Sequence, residues 1–349
     1  MNPLIERLAL KFYPWLKINS SNSDVVISTR VRIARNIEGF NFPEKADVDT
    51  RSEIVDTIFE AVEKLPMRKK VYKSEIENLS EKEKKILLER KMLTFESLFD
   101  FECGVIFEEN EGYSILLNEE DHLHIQCLEP GLNLSKCWKV TEKLEEQLAK
   151  FLKFSFNNDL GYLTSSPANV GTGLKASVYL DLTGAFLTGQ LSGIIHSAKV
   201  SGHSIDPESG EQDYKGSRYI LCNKQTLGIS ETESIKDFEG FVADVIQAEL
   251  TARRKILADL PQRILNHVGR AYGLLKSSWI LPEEEAFDCL MTLRTGINMG
   301  LFDKLDLETL NDLIIYTGDA HLQNSLGRDL MPEDLDIARA EFFKKKLAS

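Results

Sequence analysis

Three stretches of this chain gather groups able to act on charged substrates. Asn118-Glu119-Glu120-Asp121 puts three carboxylates at one junction. Their mutual repulsion is relieved by a cation, a metal ion or a cationic substrate; the plain alternative is an exposed acidic turn. Arg30 and Arg32 offer the opposite kind of site, because guanidinium forks bind phosphate oxygens in pairs; a solvated sheet edge is the plain alternative. The third stretch runs Ser165-Ser166-Pro167-Ala168-Asn169-Val170-Gly171-Thr172-Gly173-Leu174-Lys175. Its glycines let backbone N–H groups approach an anion, and Lys175 adds a charge, although the spacing is not that of a Walker A loop. Together the three describe an anion cradle facing a carboxylate cluster, which suits phosphoryl transfer from a nucleotide to a cationic nitrogen.

The elements that must position these groups follow from periodicity. From Asp24 to Ile33 apolar residues alternate at period two, predicting a strand with Arg30 and Arg32 on one face. The stretch from about Lys45 to Ser97 reads as surface helices. Val105–Phe107 and Tyr113–Leu117 read as strands around a turn in which Gly112 is available for positive φ. His122 to Leu128 alternates again, so the acidic tetrad falls on a tight connection. Leu144, Leu148, Phe151 and Leu152 have helical spacing. Strands are expected at Ala176–Leu182 and Arg218–Cys222, separated by a segment rich in Gly, Ser and Asp. A long helix then runs towards Leu257 and is punctuated by Pro261, after which the apolar residues recur only at helical spacing. The expected class is α+β over residues 1–258, followed by an all-α segment over 259–349.

Composition narrows the classes further. A chain of 349 residues with 42% hydrophobic and 28% charged residues is globular rather than disordered. The net charge of −13 argues against coating nucleic acid. Charged residues interrupt the first apolar stretch, so no leader or membrane span is expected and the protein reads as cytoplasmic. Five cysteines without a C-x-x-C pair disfavour a disulfide framework or a structural zinc site. His122-x-His124 could chelate a metal from one strand face, but no third ligand stands at a recognisable spacing.

The same segments resemble, in order and separation, the phosphagen (guanidino) kinase superfamily. Ser28-Thr29-Arg30-Val31-Arg32 is similar to its nucleotide-binding strand and Asn118–His122 to its N-E-E-D-H loop. Ser166–Val178 is similar to its C-P-T-N-x-G-T-G-x-R-A-S-V segment. The helices after Pro261 resemble the C-terminal dimerisation domain of the bacterial protein-arginine kinases (McsB type). The resemblance implies a catalytic domain with a mostly antiparallel sheet flanked by helices, ATP and Mg²⁺ as cofactors and Glu120 and Glu211 as the catalytic carboxylates, with Glu119 near the metal. It implies a nucleotide set of Ser28, Thr29, Arg30, Val31, Arg32, His124, Lys175, Ala176, Ser177, Val178, Tyr179 and Asp206. Phosphoarginine sensing falls on Asp336, Arg339 and Ala340, in a match to R-D-x-x-R-A that lacks its first arginine.

Four positions depart from the pattern. His124, Lys175 and Asp206 stand where the family carries arginine, and Ser166 replaces its reactive cysteine. The implied activity is phosphorylation of arginine side chains in proteins, marking them for degradation. The implied partners are a zinc-containing McsA-type activator, the Clp protease machinery, a heat-shock repressor and a second copy of the chain, with no direct nucleic-acid or membrane contact. The departures leave a second reading open, a family member with weakened or lost transfer that acts as a regulatory binding or scaffold dimer.

Overall fold

The structure is a computed structural model describing residues 2–17, 22–66, 70–98, 102–208, 210, 214 and 216–348. Its strands are β1 (Val26–Arg35), β2 (Val71–Glu75), β3 (Gly104–Glu108), β4 (Ser114–Leu117), β5 (Leu123–Pro130), β6 (Phe156–Asn157), β7 (Gly161–Tyr162), β8 (Leu174–Asp181), β9 (His203–Pro207) and β10 (Arg218–Asn223). Eight of them form one sheet in the order β2-β3-β4-β5-β1-β8-β10-β9, with every neighbouring pair antiparallel. β6 and β7 form a separate hairpin.

The helices are α1 (Pro3–Leu8), α2 (Val48–Glu63), α3 (Glu81–Glu89), α4 (Leu134–Leu148), α5 (Thr183–Thr188), α6 (Leu191–Val200) and α7 (Glu231–Asp259). After them come α8 (Pro261–Ser277), α9 (Glu283–Asn298), α10 (Leu307–Ile314), α11 (Asp319–Leu326) and α12 (Pro332–Leu347). Ser230 and Glu233 start α7 with a reciprocal capping box that satisfies otherwise unpaired amides. Leu260 leaves helical geometry between α7 and α8, and Pro261 opens α8, where its missing N–H costs no hydrogen bond.

Burial separates the two faces of the sheet. Val31, Ile33, Ile125, Leu174, Ala176, Val178 and Leu221 join the main core with apolar residues of α2, α4 and α7. A second core gathers Tyr13, Trp15, Leu16, Ile27 and Tyr179 with residues of α8, α9, α10 and α12. The N-terminal segment and part of the sheet therefore share a core with the C-terminal helices. A third cluster packs α1 and α3 against Val105, Phe107 and Leu116.

Several local expectations are corrected. The segment expected to be helical from Lys45 to Ser97 contains β2, an edge strand in which every residue is half-buried, so it carries no apolar alternation. The Gly-, Ser- and Asp-rich stretch after β8 holds α5, α6 and the other edge strand, β9. In the β3–β4 turn, Glu111 rather than Gly112 adopts positive φ, at 59°.

Candidate active site

Register builds the site. Arg30 lies opposite Ser177 and Leu128, Arg32 opposite Lys175 and Gln126, Ser28 opposite Tyr179, and Ala34 opposite His124. Ser177 and Tyr179 lie opposite Cys222 and Ile220, which in turn lie opposite Ser204 and Asp206. Residues directly opposite share a face. Ser28, Arg30, Arg32, His124, Lys175, Ser177, Tyr179 and Asp206 therefore stand on one side of the sheet. The alternate residues do not: Val31, Ala176 and Val178 belong to the main core. The Thr29 hydroxyl donates to the Gly131 carbonyl at 2.5 Å. The pleat thus gives Thr29, Val31, Ala176 and Val178 a structural place; on the opposite face Ser28 and Ser177 are fully buried and Tyr179 packs in the second core, so Arg30, Arg32, Lys175 and Asp206 are the candidates left accessible.

The acidic loop connects β4 and β5. Asn118 begins it in the left-handed region, φ 53°, and its amide donates to the carbonyls of Arg51 and Glu102 at 2.8 and 2.9 Å. The three carboxylates then part ways. Asp121 is fully buried and accepts from Asn36 Nδ2 at 2.6 Å and from the Ser165 N–H at 2.7 Å. Glu119 takes His124 Nδ1 at 2.6 Å, the Thr94 hydroxyl, and Arg32 at 3.6 Å. Burial works against its ionisation, but the hydrogen bond and charge of His124, with Arg32 and Thr94, outweigh it and hold Glu119 down to about 2. Glu120 alone is exposed, and among the described residues its side chain accepts from the Asn169 amide at 3.4 Å.

His124 was expected among the nucleotide-binding groups, yet its ring is 2% exposed and spans Glu119 and, at 3.3 Å from Nε2, Asp121. The ring thus bridges two carboxylates of the acidic loop and turns neither nitrogen to the nucleotide face. His122 is no chelating partner for it. Its Nδ1 accepts from the Ile37 N–H and its Nε2 faces the Asn41 carbonyl, both at 2.9 Å, and burial pushes its pKa down.

The glycine-rich loop also differs from expectation. The amides that were to cradle an anion are already used: Gly171 donates to Tyr162, Thr172 to Thr226 and Gly173 to Asn169, at 3.1, 2.9 and 3.0 Å. The glycines are required by crowding instead. A Cβ on Gly171 would stand 2.2 Å from the Thr226 carbonyl, and one on Gly173 would stand 2.7 Å from the Ala34 carbonyl, both at positive φ. Arg35 clamps the loop by donating to the Thr172 carbonyl at 2.9 Å and stacking 3.4 Å from the centre of the Tyr162 ring. The loop thereby carries Asn169 to Glu120.

Glu211 lies outside the described residues. Asp206 is exposed on β9, on the cation face. Asp336, Arg339 and Ala340 lie on α12, which shares the second core with Tyr179, and Arg339 is 1% exposed. Its donors go to the carbonyls of Thr317 and Leu281 and to Asp336 and Asp319. Lys91 was not read from the sequence, where a lysine after a helix has no signature. Its ammonium lies 4.1 Å from the centre of the Tyr179 ring, whose other neighbour is Arg30, at 5.8 Å.

The face fits a polyphosphate. Among the described residues, Arg30 and Lys175 have no carboxylate within ion-pairing distance. Burial and the like charge of Arg30 lower the pKa of Arg32, with Glu119 and Glu120 opposing. For a divalent cation, one donor atom each of Glu120, Asp121 and His124 lie within 4.8 Å of one another. Asp121 already accepts three hydrogen bonds and Glu119 is engaged by His124, Thr94 and Arg32, so Glu120 is the carboxylate of the loop left to meet a cation, whether a hydrated metal ion or a guanidinium.

Comparison with known proteins agrees with this geometry. Residues 53–252 match the ATP:guanido phosphotransferase C-terminal catalytic domain, and residues 261–349 match the protein-arginine kinase McsB C-terminal domain. The protein-arginine kinase of Halothermothrix orenii is 33% identical over 95% of this chain and 96% of its own length. That of a Geobacillus species is 35% identical over 95% and 93%. The duplicated taurocyamine kinase of Schistosoma mansoni superposes with a TM-score of 0.58 at 26% identity, over 66% of this chain and 34% of that one. A lombricine kinase gives 0.59 at 23% identity over 71% of each chain, a likeness of fold. Among the described residues no helix is long and apolar enough to cross a membrane. An antiparallel sheet carrying a row of cations beside one outward carboxylate, continued by a matching helical segment, places the chain in the ATP:guanido phosphotransferase family, alongside the protein-arginine kinases.

Proposed function

We propose that the chain is a cytoplasmic protein-arginine kinase that transfers the γ-phosphoryl group of Mg²⁺-ATP to arginine side chains of proteins and so marks them for degradation. The observation that carries this is the division of labour in the acidic loop: two carboxylates are committed internally, and Glu120 faces outward beside the cation face.

Arg30, Arg32 and Lys175 hold the phosphates, with Ser28, Ser177 and Tyr179 lining the same face. Mg²⁺, when bound, neutralises phosphate charge, and Glu119 acts near it through water. Glu120 and Glu211 fix the plane of the incoming guanidinium, whose free pKa above ~12 makes it a poor nucleophile. Glu120 takes the proton as the N–P bond forms and the bond from γ-phosphorus to the bridging oxygen breaks, releasing ADP. Most of the acceleration comes from in-line placement and charge compensation. Residues 1–258 form the catalytic unit and 259–349 a dimerisation and regulatory unit; the partners of the chain are a McsA-type activator and the Clp machinery.

The test is incubation with Mg²⁺-ATP and an unfolded, arginine-containing protein. Acid-labile phosphoarginine is expected from the native chain and not from Glu120→Gln; equal signals reject the assignment. The outward Asp206 favours the rival, a regulatory dimer without transfer activity. That reading requires negligible Mg²⁺-ATP affinity, even at low salt.

A further inference from the structure

A row of charges connects the proposed nucleotide face to the C-terminal helices. Lys91 stands just past α3 with a left-handed backbone, φ 59°, where it ends the helix: its N–H donates to the Leu88 carbonyl at 2.8 Å and the Met92 N–H to the Leu87 carbonyl at 2.9 Å. Gln126 of β5 donates to its carbonyl at 2.8 Å. Its ammonium reaches the Tyr179 ring on one side and, at 3.1 Å, Glu208 on the other. The second oxygen of Glu208 takes Arg218 Nη1 at 2.6 Å. Arg218, its side chain 6% exposed, turns Nε to Asp288 and Nη2 towards Glu284 at 3.7 Å, both on α9, over the ring of Phe287. Lys91, Glu208, Arg218 and Asp288 thus alternate in sign along one chain of contacts.

We propose that this row is a charge relay through which helix α9 sets the nucleotide affinity of the catalytic face, with Glu208 and Arg218 as positioning residues that act through Lys91. The proposal rests on the reading that Arg30, Lys175 and Tyr179 receive ATP. Glu208 has one negative charge to share between two cations. The more of it Arg218 takes, the more of the Lys91 charge is left for a phosphate beside Arg30. Asp288 competes for Arg218 and so returns Glu208 to Lys91. Movement of α9 relative to the sheet then changes ATP affinity without touching the nucleotide.

Alternation of sign is the signature. In calorimetric titration of the full-length chain with Mg²⁺-ATP, Lys91→Met weakens binding about tenfold and Arg218→Gln about threefold. Glu208→Gln tightens it about threefold and Asp288→Asn about twofold. In a Lys91→Met background the last three effects vanish, because they pass through that residue. Through-space charge alone keeps the same signs in both backgrounds, and a merely structural role weakens binding in every variant; either result overturns the relay. Should Arg218→Gln fail to fold, the partly exposed Asp288 carries the test, with Asp288→Glu restoring native affinity. A native chain that binds Mg²⁺-ATP but makes no phosphoarginine removes the kinase reading and leaves the relay to its signs. A native chain that binds no Mg²⁺-ATP overturns both.

Discussion

Two populations of cations occupy this molecule. Arg35, Arg90, Arg253 and Arg339 are almost wholly buried, and each meets carboxylates: Glu145 at 2.6 Å, Glu111 at 2.9 Å, Glu249 at 2.6 Å and Asp336 at 2.6 Å respectively. Arg30 and Lys175 stand on the sheet face with no carboxylate in ion-pairing range among the described residues. The first population ties segments together, and its charge is spent. The second keeps its charge available, which is wasteful for stability and useful only when an anion arrives. Arginine occurs in both; partnership separates structure from function.

The comparison can be broken from either side. The largest expected effect is on the carboxylate opposite the free cations: Glu120→Gln lowers phosphoarginine formation by at least about a hundredfold in a fixed-time transfer assay, with an unchanged melting temperature. Next is the buried population. Arg253→Met leaves Glu249 and Asp181 without their cation and destabilises the fold by about 3–5 kcal/mol in urea unfolding, because both carboxylates are buried. On the free side, Arg30→Ala weakens ATP binding about tenfold, while urea unfolding changes by about 0.5 kcal/mol or less. Loss of ATP affinity in Arg253→Met without loss of stability, or the reverse in Arg30→Ala, erases the distinction.

Two smaller effects are read from pH. Glu119 is held near 2 in the folded chain against an ordinary value of 4.5. Its stabilising contribution is therefore present above about pH 4.5 and is lost as pH falls towards 2, and Glu119→Gln flattens the stability profile in that window. Glu283 is pushed the other way, to about 7, by burial and by the charges of Glu89 and Asp319. A raised carboxyl favours the fold fully below 4.5 and loses that advantage as pH rises through 7. Glu283→Gln should therefore gain melting temperature relative to the native chain at pH 8 and not at pH 4.

Much of this arrangement was legible in the residues. Period-two alternation put Arg30 and Arg32 on one face, and the spacing of Glu119, Glu120 and Asp121 marked a tight connection. What alternation cannot show is which side chains are already engaged. The partners of His124 come from the connection before its own strand, and the partner of Arg32 lies on that same connection, so neither is visible as periodicity. The glycine loop misled for a related reason: glycine permits close approach of any backbone, and here it is approached by Thr226 and Ala34 rather than offered to a phosphate. Edge strands β2 and β9 pair on one side only and carry half-exposed residues, which removes the apolar pattern that identifies central strands. Lys91 entered the site through an αL turn after α3, a placement fixed by contacts distant in sequence.

Those edges have a consequence under the proposed activity, whose substrates would be other polypeptides. An unpaired strand is a template on which any extended chain can hydrogen-bond, and a client with exposed segments is such a chain. β9 presents the charged Asp206 and ends in Pro207, which has no N–H to donate, while Lys73 of β2 is bound to Glu63. Both borders of the sheet thus discourage lateral zippering, so a client can be modified and released instead of being incorporated as a ninth strand.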